Sequence, residues 1–236
     1  MRSAVLTYHS LDSYGSVIST SPALFRAQMT ELVERGIAVV PLEEILNRPR
    51  AVALTFDDGY ENFAEVAVPV LQQYHLPATV FVVSGMCGGT SGWQGARGLP
   101  LMDWSTLRDL PVDLISLGAH SVSHPDLTQL APEAQGDELR NSRTEIEQRT
   151  GRAVCHFAYP YGRTNPALCE AACRVYEMAV TTRLDFIPAH PDRMRLPRID
   201  AYYLRRIGTF GAVAEGGAAW YVGLRRWLRA LRHGPE

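Results

Sequence analysis

The chain has 236 residues, with 23 basic against 25 acidic side chains and a formal charge of −2 at pH 7, which argues against a broad basic surface for nucleic acid. A 46% share of hydrophobic residues with 20% charged is enough to bury a sizeable core and excludes a disordered or fibrous chain. One domain spanning residues 1–236 is the expectation, since barrels of alternating strands and helices run to about 250 residues as single units.

The opening MRSAVLTYHS lacks a signal-like apolar stretch of about seven to fifteen residues, and no run approaches about eighteen apolar residues. A cytoplasmic protein with neither signal peptide nor spanning helix is expected. Short β-rich runs follow one another at Ala4–Tyr8, Ile37–Val40, Val52–Phe56, Ala78–Val83, Leu114–Ala119, Val154–Ala158 and Met178–Val180. Between them lie segments with apolar residues at three- and four-residue spacing: Pro22–Glu34 after a Ser21 cap, Asn62–Tyr74, Pro132–Arg149 and Pro166–Tyr176. Such β-then-α alternation predicts a parallel sheet covered by helices, and about seven units suit a distorted (β/α) barrel better than an open sheet.

The Gly-rich stretches Gly85–Gly98 and Gly208–Gly217 read as loop insertions. At the end of the chain, a basic amphipathic helix is expected over about 216–233. Trp220, Leu224, Trp227, Leu228 and Leu231 fall on one face, with Arg225, Arg226, Arg229 and Arg232 largely on the other. Its apolar face either packs on the barrel or meets a membrane surface or a partner.

Chemistry concentrates where predicted strands end. Val52–Phe56 runs into Asp57-Asp58-Gly59, and adjacent carboxylates stay ionised together only if a cation or hydrogen bonds compensate. The pair therefore reads as a metal ligand plus a free base, or else as a turn in which one Asp caps the next helix. Leu114–Ala119 runs into His120-Ser121-Val122-Ser123-His124, whose spacing brings two imidazoles to one side of a turn. Two His and one Asp leave positions open for water and substrate, as in a catalytic metal site. Val154–Ala158 runs into Tyr159-Pro160-Tyr161-Gly162, a rigid turn in which the Tyr161 amide could face an oxyanion. Cys87, Cys155, Cys169 and Cys173 read as free thiols, Cys169 and Cys173 as buried small hydrophobes. Tyr60, Trp93 and Trp104 could stack on sugar rings, Trp104 being the one expected in the core.

In these motifs the chain resembles the polysaccharide deacetylases of carbohydrate esterase family 4, which share the NodB homology domain. Thr55-Phe56-Asp57-Asp58-Gly59-Tyr60 resembles the family's first motif, His120 to His124 its second, and Tyr159-Pro160-Tyr161-Gly162 the turn of its third. The likeness runs from about Leu6 to about Ile199. It implies a distorted barrel and hydrolytic, metal-dependent removal of N-acetyl groups from an amino sugar in a glycan or glycoconjugate. It makes Asp58, His120 and His124 the ligands of a divalent metal, zinc in the first place or else cobalt or nickel, with Asp57 the general base and Tyr161 at the oxyanion. Two departures stand out. Ala158 occupies the position of a motif Arg that orients the base, for which Arg198 is the substitute suggested; the late Leu-x-His motif is absent, and His9 is assigned as the acid that protonates the leaving amine. The departures leave room for a sugar-binding pseudoenzyme, and the carbonyl chemistry would equally serve a non-sugar amide. Oligomeric state is not legible.

Overall fold

The computed structural model describes residues 2–93 and 98–233. Among these residues eight parallel strands form one sheet: β1 (Ala4–Tyr8), β2 (Ala38–Val39), β3 (Ala51–Phe56), β4 (Ala78–Val82), β5 (Ile115–Ala119), β6 (His156–Ala158), β7 (Met178–Val180) and β8 (Ile199–Asp200). The spatial order is β7-β6-β5-β4-β3-β1-β8, with β2 paired to β3 off this path. The segment leading into β8 closes the ring. Leu196 bridges Val180 of β7, and Ile199 pairs with Leu6 of β1. The result is a distorted barrel, as the alternation predicted.

β8 is the strand that sequence reading missed. Among the described residues seven α-helices accompany the sheet: α1 (Pro22–Glu34), α2 (Val68–Tyr74), α3 (Trp104–Asp109), α4 (Pro132–Thr150), α5 (Pro166–Cys173), α6 (Ile207–Ala214) and α7 (Ala219–His233). Local chemistry sets their starts. The Ser21 hydroxyl accepts from the Leu24 amide at 3.2 Å with Pro22 in the first turn of α1, and Asn165 caps α5 ahead of Pro166 in the same way. The helix expected over Asn62–Tyr74 is interrupted: a π-helical turn over Phe63–Ala67 precedes α2, and Pro69 at its start removes one backbone donor. α5 stops at Cys173 rather than Tyr176, leaving Cys173 exposed while Cys169 is buried.

Two larger differences concern the end of the chain. Gly208–Gly217, read as a loop, is largely taken up by α6, whose Phe210 and Val213 are buried. A Cβ on Gly211 would lie 2.5 Å from Arg35 Nε and Glu31 Oε1, so this glycine permits close approach to α1. α7 forms where expected, but most of its apolar face does not pack on the barrel: Trp220, Leu224, Trp227 and Leu231 are exposed and Leu228 is half-buried. The side chain of Arg232 and residues 94–97 of the Gly85–Gly98 segment lie outside the described residues. No helix among those described is long and apolar enough to cross a membrane.

Strand alternation sorts side chains into two layers. Leu6, Leu54, Val80, Leu117 and Phe157 meet the helices in the larger core, whereas Val5, Ala53, Phe81, Ala158, Val180 and Leu196 fill the barrel. The filling is tight. A Cβ on Gly118 would come within 2.4 Å of the Phe81 ring, so β5 needs glycine there.

A candidate metal and catalytic site at the strand ends

The inward register carries the chemistry to one mouth of the barrel. Val5 and Ala53 line the interior, so His9 and Asp57, each four residues further on, continue the inward rows of β1 and β3; His120 does so for β5, two residues beyond Gly118. The ladder holds beyond the strands, since the Asp57 amide donates to Tyr8 O at 3.0 Å and that of His120 to Val82 O at 2.8 Å.

Asp58 would face outward by the same alternation. Its φ of +73° turns it back. Ser121, His124 and Tyr161 share left-handed backbone, with φ of +65°, +57° and +59°, so four such non-glycine residues gather at this mouth. Each costs on the order of 1–3 kcal/mol and persists only where its surroundings enforce it. Three hydrogen bonds to Glu138 of α4 hold the histidine loop: the Val122 amide donates at 2.7 Å, the Ser123 amide at 3.0 Å and the Ser123 hydroxyl at 2.6 Å. Sequence reading missed Glu138, for a glutamate on a polar helix carries no signal of what it grips.

Asp58, His120 and His124, all buried, each offer a ligand atom, and these atoms lie within 4.8 Å of one another. Both histidine Nε2 atoms stand 3.5 Å from Asp58 Oδ1. Two bonds of about 2.0–2.1 Å at a tetrahedral angle separate their ligand atoms by roughly 3.4 Å, so the spacing fits a zinc-like ion. His120 is oriented for the purpose, because its Nδ1 donates to Ala158 O at 2.7 Å and turns Nε2 inward. His124 Nδ1 has no hydrogen-bond partner among the described residues; its ring is held between Trp93, stacked at 4.4 Å, and Tyr161, edge-on at 4.8 Å.

Asp57 has a different environment. Arg198 reaches it through the barrel interior with Nη1 and Nη2 both at 2.6 Å, while its Nε donates to Thr181 O at 2.9 Å. The guanidinium lies over the Phe81 ring, 5.8 Å from its centre. Burial would raise the Asp57 pKa, but the charge and hydrogen bonds of Arg198 outweigh it and hold this carboxyl far below the usual range. Burial also works against charge at Asp58, and the bond from His120 overrides it, again lowering the pKa. The two histidines diverge. Burial pushes His124 down to about 3, helped by the charge of His120, whereas at His120 the bond to Asp58 and the fields of both carboxylates overcome burial and raise the pKa.

His9 Nε2 stands 3.7 Å from Asp57 Oδ2. Together with Ile18, Trp93, Tyr161 and Thr182, it lines an open pocket around the carboxylates and the two imidazoles. Tyr161 lies on a turn pressed against Thr182. A Cβ on Gly162, at φ +69°, would fall 2.1 Å from Thr182 Oγ1, and that hydroxyl donates to Tyr161 O at 3.2 Å. Thr182 was not singled out from sequence. Of the aromatic residues considered for sugar stacking, Trp93 lines the pocket; Tyr60 is buried, and Trp104 is half-buried against the core. The arrangement thus gathers three potential metal ligands, an ionised carboxylate and an imidazole around a solvent-open cleft.

Residues 46–176 match the family model for polysaccharide deacetylase. YxkH of Bacillus subtilis, named as a polysaccharide deacetylase, is 28% identical over 187 residues, covering 75% of this chain and 63% of that protein. A chitin deacetylase of Colletotrichum lindemuthianum is 30% identical over 127 residues, 54% of this chain and 46% of that one. The chain thus spans less than two thirds of the length of these curated relatives. Among solved structures, the deacetylase PplD of Streptococcus pyogenes in complex with acetate aligns with a TM-score of 0.73 at 27% identity, over 85% of this chain and 92% of PplD. A polysaccharide deacetylase from Bacillus cereus aligns with a TM-score of 0.76 at 25% identity, over 91% of this chain and 69% of that one.

Proposed function

From membership of the polysaccharide deacetylase family, to which this chain belongs, we propose that it hydrolyses N-acetyl groups from amino sugars of a glycan or glycoconjugate, using a divalent metal held by Asp58, His120 and His124. The supporting observation is the juxtaposition of this buried triad with an arginine-paired Asp57 in one open pocket. Zinc suits the ligand set best, with cobalt or nickel able to replace it. When bound, such a cation supplies Lewis-acid polarisation of an amide carbonyl and a water acidic enough to attack near neutral pH.

The protein's own groups do the rest. Asp57, kept ionised by Arg198, accepts the proton of the attacking water. Arg198 fixes both carboxylate oxygens, which makes it a positioning residue that substitutes from another segment for the arginine absent at Ala158. His9, on the same inner face and 3.7 Å from Asp57, gives a proton to the departing amine, without which an amide C–N bond does not break easily. The turn at Tyr161 presents its backbone amide towards the carbonyl oxygen as negative charge develops there. The case for a sugar-binding pseudoenzyme rested on two missing groups, and Arg198 and His9 supply candidates for both.

The test is acetate release from N-acetylglucosamine oligomers by chelated protein before and after return of Zn²⁺, Co²⁺ or Ni²⁺. Release that a metal restores and Asp57→Asn abolishes is expected. No release from these oligomers, with preferential hydrolysis of a simple non-sugar amide, would move the substrate class; no hydrolysis of either by metal-loaded protein would favour the binding-protein reading.

A further inference from the structure

Helix α7 is mounted with its faces reversed. An amphipathic helix on a globular domain ordinarily turns its apolar stripe inward and its charges to water. Here Trp220, Leu224, Trp227 and Leu231, at spacings of four, three and four, are 74%, 45%, 58% and 65% exposed. The opposite face meets the domain. Val222 is buried there, and Arg229 donates from Nη1 to Thr182 O at 3.1 Å and from Nη2 to Thr182 Oγ1 at 3.2 Å. Arg226 pairs with Asp185, and the Arg225 guanidinium lies 5.1 Å from the centre of the Tyr203 ring. Rotating the helix to bury its tryptophans would break all three arginine contacts, so the outward stripe is a consequence of specific packing.

We propose that this stripe docks on an anionic lipid bilayer and holds the mouth of the pocket at the membrane surface. Charge selects this occupant. Residues 216–235 contain four arginines and no carboxylate, and the last 36 residues of the chain carry six arginines against two glutamates although the whole is net negative. An anionic surface attracts this positively charged segment and accepts indole and leucine side chains at headgroup depth. Length agrees: fifteen residues at 1.5 Å each make a helix of about 22 Å, suited to lying in the interface and short of the roughly 20 apolar residues needed to span it. The connection to the pocket is direct, since Thr182, which anchors Arg229, also lines the cleft beside Tyr161. A glycan presented from the membrane would meet the site without leaving the surface. The docking surface stands independently of the deacetylase reading.

The test is co-sedimentation of the full chain with phosphatidylcholine vesicles containing about 30 mol % phosphatidylglycerol, against phosphatidylcholine alone, at low and high salt. Binding at least tenfold stronger to the anionic vesicles, weakened by salt, is expected. The variants Trp220→Glu and Trp227→Glu should lose that binding while keeping the wild-type circular dichroism spectrum and melting temperature, because both positions are exposed. No sedimentation with anionic vesicles, or equal binding by the folded variants, would overturn the proposal. So would a lipid-free dimer in sedimentation velocity that Trp227→Glu dissociates, which would make the stripe a self-association face.

Discussion

Arg198 and Asp57, 141 positions apart, form a bidentate ion pair inside the barrel, with both nitrogen–oxygen distances at 2.6 Å and side chains 0% and 3% exposed. Neither charge is appreciably exposed to solvent. Removing one partner should therefore cost far more than removing both.

Arg198→Met should destabilise the metal-free protein by about 3–5 kcal/mol in chemical denaturation, and the double variant Asp57→Asn, Arg198→Met should recover most of that loss. Acid separates the two further. The folded pKa of Asp57 lies below the roughly 3.9 of an unfolded Asp, so the contribution of the pair is complete above about pH 4 and fades as pH falls towards the folded value. The double variant should lack that component. Equal acid dependence in wild type and double variant would count against it.

Metal binding should be one-to-one by calorimetry. It should be lost in His120→Ala and His124→Ala but retained in Asp57→Asn, in which acetate release falls by about 10²–10⁴-fold. Because the metal-free site holds His120 above its ordinary pKa and His124 well below, zinc should displace about one proton near pH 6, read from calorimetry in buffers of different ionisation enthalpy. Release of none, or of two, would contradict this division between the imidazoles.

His9→Ala separates proton donation from positioning. Turnover of an N-acetyl amide should fall by about 10²–10⁴-fold with zinc still bound, while hydrolysis of p-nitrophenyl acetate, whose phenolate departs without a proton, should remain near wild type. Parallel loss on both substrates would make His9 something other than the acid.

Glu138→Ala removes all three bonds that grip Val122 and Ser123. Its expected signature is a 10–100-fold weaker zinc affinity, as for other groups that orient metal ligands, with a melting temperature close to that of the wild type. Unchanged affinity in the folded variant would mean that the histidine loop is held by its own left-handed residues and the Ser121 hydroxyl alone.

Much of this site was legible because strand ends and chemistry coincide: each of Asp57, His120 and Tyr161 follows an apolar run that could be read as a strand. β8 was not legible, since Ile199 and Asp200 form a two-residue strand in a segment without alternation. α6 was hidden by its glycines, of which Gly211 serves close packing against α1. For α7, the pattern defined two faces but not which would turn inward; that depended on partners such as Asp185, Thr182 and Tyr203, drawn from distant positions. Glu138 belongs to the same class, a residue defined by what reaches it.

Closure of the barrel through the segment ending in β8 has a consequence for synthesis. β1 precedes the other strands of this sheet in the chain, yet among the described residues one of its edges pairs only with residues 199 and 200. Through most of translation that edge stays available to other chains, which makes the nascent protein prone to misassociation until its last strand emerges. Arg198 arrives in the same stretch, so the carboxylate at Asp57 acquires its counter-charge only as the ring shuts. Closing the barrel and arming the site are therefore a single late event.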